Sequence, residues 1–284
     1  MAHRYADIGE IRLHYVEEGD GPLVVMLHGF PEFWFSWRKQ IPALVKAGYR
    51  VIAPDLRGYG ESSRPDDVDA YRMTLVVQDI AGLIVQNGGT CTLVGHDWGG
   101  IASWLLAMLH PSLVERLVVM NAPHFVPMRR EINRSFEQKM RLTYQLFFNL
   151  PVLPELFLRM FGKMLMVRMG KFTPDEVRTY VEGWRKPGAT TAMLNYYRAI
   201  RKHRAELRGL MRKIEVPTML VWGEKDPVFK VEMTENFSEW VPDLRLERIP
   251  EAGHFVQTDA AEKVNALLLS FLPSPRGGGE RGRG

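Results

Sequence analysis

The sequence predicts an α/β protein with a mostly parallel, doubly wound sheet flanked by helices and an all-helical segment inserted late in the chain. Three observations predict it. Short continuous apolar runs, the pattern of strands covered on both faces, alternate with helical periodicity as far as residue 123. From Val126 to Met211 no such run occurs, and amphipathic segments alternate with breaks at Pro151, Pro154, Pro174 and Pro187. Strand-like runs then resume at Val216 to Trp222 and Leu244 to Ile249. The chain accordingly divides into a first core part (1–125), a helical insertion (126–212), a second core part (213–272) and a tail (273–284).

Tyr5 to Val16 holds two short alternating runs split near Gly9, the pattern of an antiparallel hairpin. Gly19-Asp20-Gly21-Pro22 makes a turn, and Leu23 to Leu27 is a buried strand ending in His28-Gly29-Phe30-Pro31. Trp34 to Lys46 has helical spacing. Val51 to Pro54 is a strand followed by the turn-rich loop Asp55 to Ser62. A helix over Met73 to Gln86 stops at Asn87-Gly88-Gly89. Leu117 to Met120 is the next strand, and a helix over Asp259 to Phe271 closes the core.

Between those last strands lies the stretch that carries chemistry. Cys91 to Val94 reads as a strand and Ile101, Trp104, Leu105 and Met108 as a helix face; Gly95-His96-Asp97-Trp98-Gly99 joins them. A glycine two residues either side of Asp97 permits a turn too tight for side chains. Such a turn pushes its central residue into the open, with a helix N-terminus behind it. Asp97 alone also fits the N-cap of an ordinary turn. As a nucleophile, a carboxylate is already ionised at neutral pH and displaces at an sp³ carbon, giving an alkyl ester. At a carbonyl it would form an unstable anhydride. Strained or polarised C–O and C–halogen bonds are therefore the expected substrates. Asp226 follows a strand, in Gly223-Glu224-Lys225-Asp226-Pro227, and His254 follows the last one. Both fall at the same sheet edge as Asp97. Glu224 is a competing acid, and His28 reads as a structural residue that pins its loop.

Composition is that of an ordinary soluble globular protein. The net charge is +4, of which the Gly/Arg-rich tail contributes +2. That tail is expected to be disordered and solvated, so no nucleic-acid partner is expected. No apolar run of about 20 residues is present, so no membrane span or membrane partner is expected. The N-terminus shows no apolar signal region, and the single cysteine, Cys91, reads as a buried apolar residue. Both readings point to the cytoplasm. No metal-spaced Cys/His set and no dinucleotide fingerprint appear, so neither metal nor cofactor is expected.

The segments HGFPEFWFSWR, DLRGYGES, GHDWGG, LVWGEKDPVF and EAGHF resemble those of the α/β-hydrolase superfamily, in the branch of epoxide hydrolases and haloalkane dehalogenases. The resemblance covers almost the whole chain. It implies the α/β-hydrolase fold, with a sheet of about eight strands and the insertion as a cap. It implies a triad of Asp97, Asp226 and His254 and an oxyanion hole from the N–H groups of Phe30 and Trp98, with Trp98, Phe30 and Pro31 at the substrate. Tyr144 in YQLFF and Tyr197 in LNYYR resemble the two cap tyrosines that bond an epoxide oxygen. The implied reaction is epoxide hydrolysis on a small molecule by a monomer or homodimer. The same triad also serves haloalkane and haloacid dehalogenases, and a non-catalytic binding protein on this fold is a further alternative. Three departures bear on the choice. Asn149-Leu150-Pro151 differs from the usual continuation of the first tyrosine motif, Trp98 is shared with haloalkane dehalogenases, and Phe30 stands where those enzymes often carry asparagine. Phe147, Phe148, Met160, Met164 and Met166 are expected at an apolar pocket wall or in packing between insertion and core.

Overall fold

The computed structural model describes residues 1–275; the rest of the expected disordered tail, from Arg276 on, lies outside the described residues. Eight strands form one sheet: β1 (Ala2–Ile8), β2 (Ile11–Glu18), β3 (Leu23–Leu27), β4 (Arg50–Pro54), β5 (Cys91–His96), β6 (Val114–Met120), β7 (Thr218–Gly223) and β8 (Leu244–Ile249). Their order is β1-β2-β4-β3-β5-β6-β7-β8. β2 is antiparallel to both of its neighbours, and every pairing from β4 across to β8 is parallel.

Alternation along each strand feeds two apolar layers. Val25, Leu27, Leu93, Val119 and Leu220 pack on one face with helices Met73–Gln86 and Trp98–Leu109. Val24, Met26, Val94, Val118 and Val221 pack on the other with helices Ile41–Lys46 and Ala261–Phe271. Burial on both faces is why these strands read as unbroken apolar runs, and each such side chain contributes about 1.5–3 kcal/mol.

Register aligns the C-terminal ends of the strands. Leu27 pairs with Gly95, His96 with Met120, Met120's neighbour Val119 with Leu220, and Gly223 with Ile249. The chain winds one way from β3 to β4 and the other way from β5 to β6, so the sheet reverses between β3 and β5. A crevice for a ligand opens at such a reversal, beyond the strand ends.

Between β6 and β7 the chain is helical: Phe125–Arg134, Phe136–Arg141, Tyr144–Phe148, Leu153–Met169, Pro174–Trp184, Ala189–Lys202 and Arg204–Gly209. Pro154 and Pro174 lie in first turns, where a missing N–H is harmless, and Thr173 with Glu176 forms a capping box.

Three expectations are corrected. Trp34 to Lys46 is not one helix but a short 3₁₀ turn, Trp34–Trp37, followed by Ile41–Lys46. Pro42 would clash inside a continuous helix and is tolerated in a first turn. The closing helix is found at Ala261–Phe271, as expected, and a short helix Val256–Asp259 precedes it, ending where Asp259 turns its carboxylate to the N–H groups of Lys171 and Gly253, each at 2.8 Å. The tail's first residues are held, with the Tyr49 hydroxyl donating to the Pro273 carbonyl at 2.9 Å. Met160 and Met164 line neither pocket nor seam: they are 71% and 47% exposed. Their helix turns Pro154, Leu158, Gly162 and Met166 inward instead, with Gly162 close against the Trp184 ring.

Candidate active site

Asp97 is the residue between β5 and helix Trp98–Leu109, at φ 49° and ψ −116°. Positive φ is uncommon for a residue with a Cβ and is held here by surrounding constraint. A Cβ on Gly95 would strike Ser103 Oγ and the Gly99 carbonyl, and one on Gly99 would strike the carbonyls of Leu27 and His28. Gly29 is equally confined, because a Cβ there would meet Asp97 itself. The Asp97 side chain makes no cap bond to its helix. Its Oδ1 instead accepts the Phe30 N–H at 2.7 Å. The ordinary N-cap reading therefore fails. The Trp98 N–H, first in its helix, makes no bond to Asp97, so of the two expected oxyanion donors only Phe30 touches the carboxylate.

His254 lies across from it. Nε2 is 3.6 Å from Asp97 Oδ2, and Nδ1 donates to Asp226 Oδ2 at 2.8 Å. Asp226 is fixed on both oxygens. Oδ1 accepts the N–H groups of Val228 and Phe229 at 2.7 and 3.0 Å, and Oδ2 also accepts Asn121 Nδ2 at 2.8 Å. Glu224 is exposed, whereas Asp226 is the acid that meets the His254 ring. His28 is fully buried; its Nδ1 donates to Gly29 O and its Nε2 accepts the Leu56 N–H, as expected of a loop pin.

The charges are mutually dependent. Burial works against ionisation of Asp97, but the facing His254, His96 and the Phe30 N–H outweigh it and lower its pKa below the usual carboxylate value. Burial likewise works to lower the His254 pKa. The Asp226 and Asp97 carboxylates outweigh that and raise it to about 10. At neutral pH the two acids therefore share an imidazolium.

Tyr144, on helix Tyr144–Phe148, and Tyr197, on helix Ala189–Lys202, come from separate parts of the insertion and meet with ring centroids 6.0 Å apart. Tyr197 also packs edge-on against Trp98 at 5.0 Å and Phe30 at 5.2 Å, which brings it over the elbow. Burial first, and the Asp97 charge with it, push both phenol pKa values up, so both stay protonated donors. The neighbouring Tyr196 differs: its hydroxyl is satisfied by the Arg57 carbonyl at 2.9 Å. Phe148 closes the wall against Tyr197 and Phe30. Pro31 is buried, and its carbonyl accepts Trp184 Nε1 at 2.6 Å, tying the loop to the insertion. The Trp98 Nε1 is buried without a partner. Among the described residues no group of three His, Cys, Asp or Glu side chains is set to hold a metal.

Sequence reasoning missed two supports. Asn121, at φ 41°, follows β6 and braces Asp226; its place at the shared strand edge and asparagine's tolerance of positive φ were the available signals. Behind His254, His96 Nε2 donates to the His254 carbonyl at 2.9 Å, and His96 Nδ1 lies 3.2 Å from the fully buried Glu32. Gln257 and Tyr180 also donate to Glu32. Nothing in the local sequence signals that cluster, because it assembles from four distant segments.

Known proteins carry the same arrangement of chain. A family model described as alpha/beta hydrolase fold matches residues 22–261. The AB hydrolase superfamily protein YfhM of Bacillus subtilis strain 168 is 38% identical over 95% of this chain and 97% of its own. Epoxide hydrolase 4 of Mus musculus is 36% identical over 95% of this chain and 78% of its own. The crystal structure of a Bacillus megaterium epoxide hydrolase in complex with an inhibitor superposes with a TM-score of 0.86 at 31% identity, covering 94% of this chain and 99% of that one. No helix of the described residues is long and apolar enough to cross a membrane. This chain is a hydrolase of the α/β-hydrolase fold family and belongs to its epoxide hydrolase branch.

Proposed function

We propose that this chain hydrolyses a small-molecule epoxide to a vicinal diol through an alkyl ester on Asp97, with segment 126–212 serving as a cap over core parts 1–125 and 213–272. One observation carries the reading. An ionised carboxylate in a forced turn lies within reach of a carboxylate-paired imidazole, under two phenols that separate helices bring together. Asp97 attacks a ring carbon, the C–O bond breaks, and Tyr144 or Tyr197 gives its proton to the departing alkoxide. The imidazolium proton of His254 then passes through solvent to the tyrosinate. Esterification has removed the Asp97 charge, one of the two that raise the His254 pKa, so the imidazole gives up that proton at this stage. Neutral His254, oriented by Asp226, takes a proton from water as the oxygen adds to the ester carbonyl. The Phe30 and Trp98 N–H groups stabilise the oxyanion. Collapse frees the diol and restores the Asp97 carboxylate and the imidazolium.

The test is His254→Gln. Mixed with an aryl epoxide, the variant is expected to gain the mass of one substrate per intact chain, localised to the peptide bearing Asp97. A variant that is folded, consumes epoxide and forms no adduct contradicts the ester route.

A second reading, dehalogenation of a haloalkane by the same three residues, is favoured by the buried, unpartnered Trp98 Nε1. It lacks a second halide donor, since Phe30 offers only its backbone N–H, already given to Asp97. Replacing both cap tyrosines with phenylalanine separates the two: epoxide opening collapses, whereas halide release survives.

A further inference from the structure

Helix Leu153–Met169 is apolar on two faces and covered on one. Pro154, Leu158, Gly162 and Met166 are buried. Leu153, Leu156, Phe157, Met160, Met164 and Val167 lie on the other side, 37% to 71% exposed. Their spacing of mainly three and four residues makes one continuous stripe. Single exposed apolar residues are ordinary, but contiguous ones mark an interaction surface. Here they are concentrated: of sixteen large apolar side chains exposed among the described residues, twelve fall between Phe136 and Val167. Val152, at the head of the stripe, holds φ 65°, unfavourable for a β-branched residue, with its side chain 63% exposed.

The charges beside the stripe say what covers it. Arg159 and Lys163 border it along one edge and Arg168 along the other, all exposed and without a salt bridge among the described residues. Glu155, the only acidic residue of the helix, is turned away to Arg198 at 2.8 Å. A second copy packed on this face would bring like charges together with no acid to meet them. A bilayer with anionic headgroups supplies both what the stripe and what its borders lack: an apolar layer at shallow depth and negative charge beside it. The missing membrane span bears on crossing a bilayer and leaves adsorption open. We propose that the outer face of helix Leu153–Met169 docks on anionic lipid surfaces, with the helix lying in the interface plane. The proposal stands apart from the catalytic reading.

Flotation of the full chain with two vesicle types tests it, one of phosphatidylcholine alone and one of phosphatidylcholine with phosphatidylserine. The chain is expected to float with the anionic vesicles and not with the neutral ones. Met160→Glu with Met164→Glu is expected to abolish flotation. Lys163→Gln with Arg168→Gln, on exposed side chains that the fold does not use, is expected to weaken it about twenty-fivefold, at about fivefold per charge. Circular dichroism melting should match the unaltered chain for both pairs. Failure to float with either vesicle overturns the proposal, as does flotation unaffected by both pairs. So does a dimer in sedimentation equilibrium that Met160→Glu with Met164→Glu dissociates, since the face would then be a self-interface.

Discussion

The sheet edge and the helical insertion hold their halves of the site in different ways. Asp97, Asp226 and His254 follow three parallel strands in register, so their backbones are positioned by the ladder itself. Each is then braced by groups of the core, with Phe30 on Asp97, Asn121, Val228 and Phe229 on Asp226, and His96 on His254. Tyr144 and Tyr197 ride on helices of the insertion, which meets the core through one shared apolar cluster and through side-chain bonds. Gln138 clasps Val228 and Lys230, Arg141 reaches the Asp226 carbonyl, and Trp184 reaches Pro31. In the proposed reaction the edge holds the groups that form and break a covalent bond, and the insertion holds the phenols that meet the substrate oxygen.

The sharpest way to break that division is at the phenols. Tyr144→Phe and Tyr197→Phe are each expected to lower kcat/KM for an epoxide by about 10²-fold, and together by more, with little change in Tm. Full turnover by the double variant would show that the insertion supplies shape and no chemistry. Asn121→Ala probes the edge. It removes one donor to a buried carboxylate, a loss of about 1.5–3 kcal/mol, or about 10- to 100-fold in rate. The loss should fall on ester hydrolysis in single-turnover experiments and leave ester formation near its original rate. An equal loss in both steps would mean that Asn121 supports the fold rather than the base.

A further effect is on stability. The folded-state His254 pKa is raised to about 10, above the ordinary value of 6.5. Its contribution is therefore fully present below pH 6.5 and is lost as pH rises through about 10. Tm should fall over that window, and by less in His254→Gln. Identical profiles for the two proteins would mean that the imidazole is neutral in the resting chain.

The same division governed what the sequence revealed. The edge was legible because tight turns leave marks: glycines around Asp97 where a Cβ would collide, and strand runs ending at Asp226 and His254. Asn121 was not, since a lone asparagine after a strand looks like any turn residue. Tyr144 and Tyr197 came only from family resemblance. On amphipathic helices they read as core, and nothing local separates Tyr197 from Tyr196, whose hydroxyl is spent on Arg57. Met160 and Met164 went astray for a related reason, because periodicity shows that a helix has an apolar face without showing that it has two.

A single turnover in heavy-oxygen water tests the proposed covalent step. With enzyme in excess over epoxide, the Asp97 carboxylate is expected to gain the heavy oxygen while the first diol leaves without it. Label in that first diol and none in the Asp97 peptide would mean that water attacks the epoxide directly, and Asp97 would then be no nucleophile.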